Sequence, residues 1–161
     1  AVLDADGLNA AASLMNAGED LPHPSGELIL TPHPGEMSRL TGLSVEAVQS
    51  DREGVARRYA AQWNAVVVLK GAGTVVAAPD GRCFVNPTGN PGLARGGSGD
   101  VLAGMTAALL ACGLPACDAA ACAVWLHGSA ADRAATVRGE YGMLPQDIFP
   151  QLGRMFAEKN R

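Results

Sequence analysis

The chain has 161 residues, 48% of them hydrophobic and 17% charged, enough for one soluble globular domain with a sizeable core. Its net charge of −4 leaves no basic footprint, which argues against a nucleic-acid partner. Its longest uncharged run, Val101 to Cys117, falls short of the roughly 20 apolar residues a membrane helix needs and reads as a core helix.

Val2-Leu3 reads as a short buried strand ending in the acids Asp4 and Asp6, and it is preceded by no basic leader or apolar signal core. In an open α/β sheet, functional groups collect beyond the carboxyl ends of strands. A helix then starts near Gly7, with Leu8, Ala11, Ala12 and Met15 at helical spacing. Residues 18–26 are loop. Leu28-Ile29-Leu30 is the next strand, and Thr31-Pro32-His33-Pro34-Gly35-Glu36 reads as a rigid turn at its end. Met37, Leu40 and Leu43 mark one face of a short helix stopped by Gly42. Taken alone, His33 is a turn histidine. Ser50 and Glu53 have capping-box spacing, ahead of a helix striped by Val55, Tyr59 and Trp63. Val66-Val67-Val68-Leu69 is a central parallel strand, wholly apolar because both of its faces are buried. It ends at Lys70-Gly71-Ala72-Gly73-Thr74, a glycine loop with one charge and one hydroxyl.

An Asp-Gly turn at 80–81 joins two short strands into a hairpin, so the sheet changes from parallel to antiparallel beyond Thr74. The hairpin leads into Asn86-Pro-Thr-Gly-Asn-Pro-Gly-Leu-Ala-Arg-Gly-Gly-Ser-Gly-Asp100, and then into an apolar helix. The free N–H groups of a helix start bind anions, and glycine lets a phosphate approach the backbone. An aspartate there would repel a phosphate. It is either an N-cap or a base that takes the proton from a hydroxyl attacking a phosphoryl group. The loop is not the NTPase phosphate loop, which needs Gly-Lys-Ser/Thr, nor the dinucleotide fingerprint, which fails at Leu102. Two alanine-rich helices follow, over 101–112 and 118–135, with His127 read as a packed core histidine. Asp147 can cap a last helix over 148–157. The four cysteines form no Cys-x-x-Cys pair and have no ligand-spaced histidine, so they read as buried thiols in a reducing compartment rather than a zinc site.

Gly-Gly-Ser-Gly-Asp-Val-Leu-Ala-Gly, 96–104, resembles the anion-hole motif of the ribokinase-like superfamily. The whole stretch from Asn86 to Gly104 is similar to its NAD(P)H-hydrate (NAD(P)HX) dehydratase branch. So, in order, are Val2–Asn9, Leu30–Glu36, Leu69–Thr74 and Leu126–Gly128. The resemblance implies nucleotide contacts at Lys70, Gly71, Ala72, Gly73 and Thr74, and at Gly97, Ser98 and Gly99. It implies substrate contacts at His33, Asn90 and Asp100, with Asp100 as catalytic base, and Glu36 reaching Mg²⁺ through water. Kinases of the superfamily carry Asn where this chain has His33. Three departures from the pattern are Leu93 for a common Met, Arg95 for a small hydroxyl residue, and Pro145 for a small residue in the last turn.

These readings set the expectations. The fold is a three-layer α/β/α domain of ribokinase type over 1–161, with a mostly parallel sheet and an antiparallel edge hairpin. The function is ADP- or ATP-dependent dehydration of hydrated NADH and NADPH, with Mg²⁺, in the cytoplasm. The alternatives are a vitamin-precursor kinase of the same superfamily, or a nucleotide-binding fragment without turnover. Because family members carry a substantial portion ahead of the Asp-Ala-Asp strand, Val2-Leu3 is expected at an open edge. A homo-oligomer or a docked amino-terminal portion would complete it.

Overall fold

The computed structural model describes residues 1–159. Its sheet has five strands in sequence order: β1 (Val2–Leu3), β2 (Ile29–Leu30), β3 (Val66–Leu69), β4 (Val75–Ala77) and β5 (Cys83–Val85). The first three are parallel, with Leu3 beside Leu30 and Leu30 beside Val67. β4 and β5 fold back antiparallel, as the turn at Gly81 requires. β1 ends the strand order, and its two side chains are only half-buried.

Alternate residues of the strands feed two separate cores. Leu30, Val67, Leu69 and Val75 pack against helices α1 (Asp6–Asn16), α2 (Pro34–Thr41), α3 (Val45–Ser50) and α4 (Arg52–Trp63), through Leu8, Met37, Val48, Val55 and Tyr59. Ile29, Val66, Val68 and Val76 face α5 (Ser98–Ala111) and α6 (Ala116–Arg138), through Leu102, Ala116, Ala120, Ala123 and Val124. This double burial is why β3 is apolar throughout. A third cluster joins α6 to α7 (Ile148–Lys159) through Ala130, Ala134, Met143, Ile148 and Met155. Alanines on α6 let α5 and the sheet approach closely. The three layers agree with the expected α/β/α architecture.

Local readings differ in five places. The segment 34–36 is the first helical turn of α2 rather than a rigid turn, because Pro34 occupies a helix-start position whose N–H has no partner to lose. Ser50 ends the short helix α3, which Ser44 caps, and its hydroxyl bonds back to Ala47. The cap of α4 is therefore Asp51, which accepts the Gly54 N–H at 2.9 Å. Asp147 accepts the Leu144 N–H (2.8 Å), closing a 3₁₀ turn over Pro145–Asp147 ahead of α7. Only Cys117 is a buried thiol; Cys83 is half-buried, Cys112 is exposed just past the end of α5, and Cys122 is exposed on α6. The α5 helix is apolar all round yet buries only Ser98, Leu102 and Thr106, leaving Ala107, Ala108 and Ala111 exposed.

Candidate functional site

Three parallel strands deliver chain to the same end of the sheet. Beyond β1 comes Asp4. Beyond β2 comes His33, whose Nδ1 accepts the N–H groups of Gly35 (3.0 Å) and Glu36 (3.2 Å), capping α2. The Glu36 carboxylate in turn accepts the His33 N–H at 2.7 Å, a reciprocal capping box. With Nδ1 accepting, the neutral ring carries its proton on Nε2. Beyond β3 comes Lys70, whose backbone N–H donates to the Pro32 carbonyl (2.8 Å) and locks the second and third strand ends together. Its ammonium lies 2.5 Å from Asp4 Oδ1 and 3.7 Å from Glu36 Oε2, all three side chains being largely buried. His33, Glu36, Lys70 and Asp4 thus form one connected group across three strand ends.

The glycine loop after Lys70 is braced from both sides. Arg52 donates to the Leu69 carbonyl (2.9 Å) and lies under Gly71, where a Cβ would come within 2.7 Å of the guanidinium. Gly71 also has φ +149°, which favours glycine. The Thr74 hydroxyl closes the loop on the Gly71 carbonyl at 3.0 Å. Facing it, Asn86 and Thr88 bond each other and Thr88 donates to the Trp125 carbonyl. Asp132 on α6 accepts from the Gly89 N–H and the Asn90 amide, both at 2.9 Å, while Asn90 Oδ1 accepts from Gly92. The Asn90 side chain is therefore engaged in holding its own loop.

Between these loops lies a cavity of about 500 Å³. Lys70–Thr74, Ser98 and Gly99 form its polar end, and Leu93, Leu102, Val124 and His127 an apolar wall. A second, more open cleft of about 580 Å³ is lined by Arg95, Gly97, Asp100, Pro145 and Phe149. The amino end of α5 separates the two. Gly97, with φ +92°, occupies the cap position, so Asp100 stands in the first helical turn and is not the cap. Among the described residues its carboxylate has no hydrogen bond or ion pair. The arrangement presents an anion-binding helix end, a fixed cation and a free carboxylate side by side.

Of the eight residues expected to contact nucleotide, the five of the Lys70–Thr74 loop, with Ser98 and Gly99, line the first cavity, and Gly97 the second. Asn90 lines the first cavity and Asp100 the second. His33 lies in neither and connects through Glu36 to Lys70. Arg95 donates to the Tyr141 carbonyl (2.7 Å), and Pro145 packs on Gly97, so both departures from the expected pattern have a place. The sequence shows Asp4 as an acid at a strand end without giving it a role, and does not single out Arg52 or Asp132; a lone arginine or a mid-helix acid carries no local signal. His127 was expected in a core, and it is buried, but its ring also lines the cavity and Nε2 has no partner. Burial pushes its pKa down to about 4, against a weaker opposing hydrogen bond at the Ser98 backbone. The ring is neutral at physiological pH.

A family model described as NAD(P)H-hydrate dehydratase matches residues 1–154. The chain is 51% identical to a bifunctional NAD(P)H-hydrate repair enzyme of Moorella thermoacetica, over 94% of this chain and 28% of that protein. It is 47% identical to an ADP-dependent (S)-NAD(P)H-hydrate dehydratase of Neisseria meningitidis, over 92% of this chain and 50% of that one. Among solved structures it superposes on an ADP/ATP-dependent NAD(P)H-hydrate dehydratase from Bacillus subtilis, co-crystallised with ATP/Mg²⁺ (TM-score 0.87, 40% identity, 98% of this chain, 54% of that one). It also superposes on a ribokinase-like superfamily protein from Enterococcus faecalis (TM-score 0.82, 30% identity, 98% and 52%). The fold is ribokinase-like. The chain spans about half the length of some of these relatives and about a quarter of others.

Proposed function

The chain belongs to the NAD(P)H-hydrate dehydratase family, and from that premise we propose that it carries the catalytic face of an ADP- or ATP-dependent enzyme. Its reaction restores hydrated NADH and NADPH to the reduced cofactors. The observation that carries the reading is the free carboxylate of Asp100 in the first turn of α5, next to the Lys70–Thr74 cavity. The nucleotide supplies the phosphoryl group that turns a ring hydroxyl into a leaving group. Asp100 removes the proton from that hydroxyl as it attacks. The N–H groups of the helix start and the Lys70 ammonium offset charge on the phosphoryl oxygens. The C–O bond then breaks as phosphate leaves, the neighbouring ring carbon gives up a proton to solvent, and the ring double bond returns.

Among the described residues no three acids, histidines or cysteines converge to cage a metal. The donor chemistry fits Mg²⁺ carried on nucleotide phosphates and keeping most of its waters, which Glu36 would hold by hydrogen bonds. With Asp4 and Glu36 both beside the one Lys70, this corner of the site has more acid than base, so a polyphosphate would enter with a divalent ion. The substrate belongs in the cleft beside Asp100; His33 lines neither cavity and connects through Glu36 to Lys70 at the first one. We further propose a cytoplasmic protein whose β1 edge is completed by a docked amino-terminal portion or by a second copy.

The test is to incubate hydrated NADH with the chain, Mg²⁺ and ADP, then ATP, and follow absorbance of the regenerated dihydronicotinamide. Regeneration with release of inorganic phosphate supports the reading. Accumulation of a phosphorylated small alcohol from another substrate, with hydrated NADH untouched, would replace it with a kinase.

A further inference from the structure

We propose that Asp4 is a positioning residue of this site: it fixes the Lys70 ammonium over the amino end of α5, where the phosphoryl group arrives. The inference rests on the nucleotide-dependent reading above and adds a residue to it. A lysine side chain has four rotatable bonds and loses substantial entropy when fixed, so a cation that must meet a phosphate in one place needs a partner to hold it. Here the partner is Asp4 Oδ1, 2.5 Å from the ammonium, with Glu36 Oε2 at 3.7 Å as a looser second. Both acids are more buried than the lysine.

The pair stands over the helix end. A Cβ placed on Gly99 would lie 3.6 Å from Lys70 Nζ and 3.6 Å from Asp4 Oδ2, so ammonium and carboxylate sit directly above the first turn of α5. A second observation comes from the backbone. Ala5, the residue after Asp4, has φ 46° and ψ −113°, a conformation that an L-residue adopts only under strain. The surrounding bonds enforce it: the Gly7 N–H donates to the Asp4 carbonyl (2.9 Å) and the Asn9 N–H to the Ala5 carbonyl (3.1 Å). The chain turns sharply straight after Asp4 into α1, which leaves the carboxylate at the strand end facing Lys70. Asp4 is thus aimed by the first strand, Glu36 by the helix after the second, and Lys70 by the third. Lys70 reaches the phosphoryl group in the orientation these neighbours impose.

The sign of the effect separates positioning from simple electrostatics. Asp4→Asn removes a negative charge near an anion site, so charge alone would tighten nucleotide binding. Loss of positioning would weaken it. The test is calorimetric binding of ADP·Mg²⁺ to the intact chain and its Asp4→Asn, Asp4→Glu, Lys70→Gln and double variants, with the fold checked by circular dichroism. The expected loss for Asp4→Asn is about tenfold, the size of one misplaced charge-assisted hydrogen bond. Asp4→Glu should recover part of it, and Asp4→Asn should add nothing in the Lys70→Gln background.

Acetylation kinetics read by peptide mass spectrometry report on Lys70 without nucleotide, with Lys159, the chain's other lysine, as reference. Lys70 should acetylate several-fold faster once Asp4 is Asn. Tighter or unchanged ADP binding by Asp4→Asn overturns the proposal, as does an undiminished effect in the Lys70→Gln background. If Asp4→Asn does not fold, Asp4→Glu alone decides: wild-type affinity and wild-type Lys70 reactivity would overturn the proposal. Should the wild-type chain bind neither ADP nor ATP while Lys70 still responds to Asp4→Asn, the nucleotide reading fails and the proposal falls with it.

Discussion

Asp100 stands in the first turn of α5 without capping it, so its carboxylate is not needed to hold the helix end. Asp100→Asn is expected to leave thermal stability and nucleotide affinity nearly unchanged and to slow dehydration by about 10²–10⁴, the usual cost of losing a general base. A variant that keeps most of the rate of NADH recovery would remove Asp100 from the mechanism. Gly128 makes a prediction of another kind. A Cβ there would lie 2.2 Å from the Thr88 hydroxyl and 2.9 Å from the Gly89 nitrogen, so α6 and the loop ahead of α5 touch backbone to backbone. Gly128→Ala should cost about 1–3 kcal/mol by overpacking and displace the cavity wall, lowering both the melting temperature and ADP affinity. His127 predicts a pH dependence. Its folded pKa of about 4 is below the ordinary 6.5, so the unfolded chain takes up a proton there that the native ring refuses. The contribution is fully present above pH 6.5 and is lost as pH falls through 4; its size is roughly 3 kcal/mol. Urea midpoints across that range should fall less steeply for His127→Gln than for the wild type, and equal slopes would count against the buried neutral ring.

At the scale of the element, α2 turns on the residue that caps it. His33 takes the cap position that Ser, Thr, Asp or Asn usually fill, and its Nδ1 does what a capping oxygen does. His33→Ala should therefore cost about 1 kcal/mol of stability, whereas His33→Asn should keep the cap within a few tenths. If His33 also meets the substrate, the Asn variant will fold normally and still turn over poorly. Chemical denaturation paired with steady-state kinetics on both variants separates the two duties. The loops that line the cavity are braced from the helices: Asp132 on α6 holds Gly89 and Asn90, and Arg52 on α4 holds the Leu69 carbonyl.

For the whole molecule, the cavity between the Lys70–Thr74 and Asn86–Gly99 segments is where nucleotide is expected. A crystal soaked with ADP and Mg²⁺ should show density there, and density elsewhere with both loops empty would refute the assignment. Nucleotide present at about a hundred times its dissociation constant should stabilise the chain by roughly 2.7 kcal/mol through mass action, visible as a rise in melting temperature. The apolar α5 face at Ala107, Ala108 and Ala111 and the half-buried β1 mark where this molecule offers surface for further structure.

Strand and helix identities were legible because they are periodic or punctuated: an unbroken Val-Val-Val-Leu, an Asp-Gly turn, a Gly42 stop. The glycine-rich start of α5 was legible because glycine density beside a lone acid has a local physical cause. Where a local signal misled, tertiary context decided. Ser50 has capping-box spacing, but the extra helix α3 takes it as its last residue and leaves the cap of α4 to Asp51. Sequence spacing carried no trace of the Asp4–Lys70 pair, whose members are 66 positions apart, or of the Asp132 clasp on Asn90. Both depend on parallel strands ending together and on a long helix returning past a loop. The sequence alone determined which reactive residues the chain carries, because they stand in local motifs; the sheet order and the packing of α6 decided which of their side chains meet.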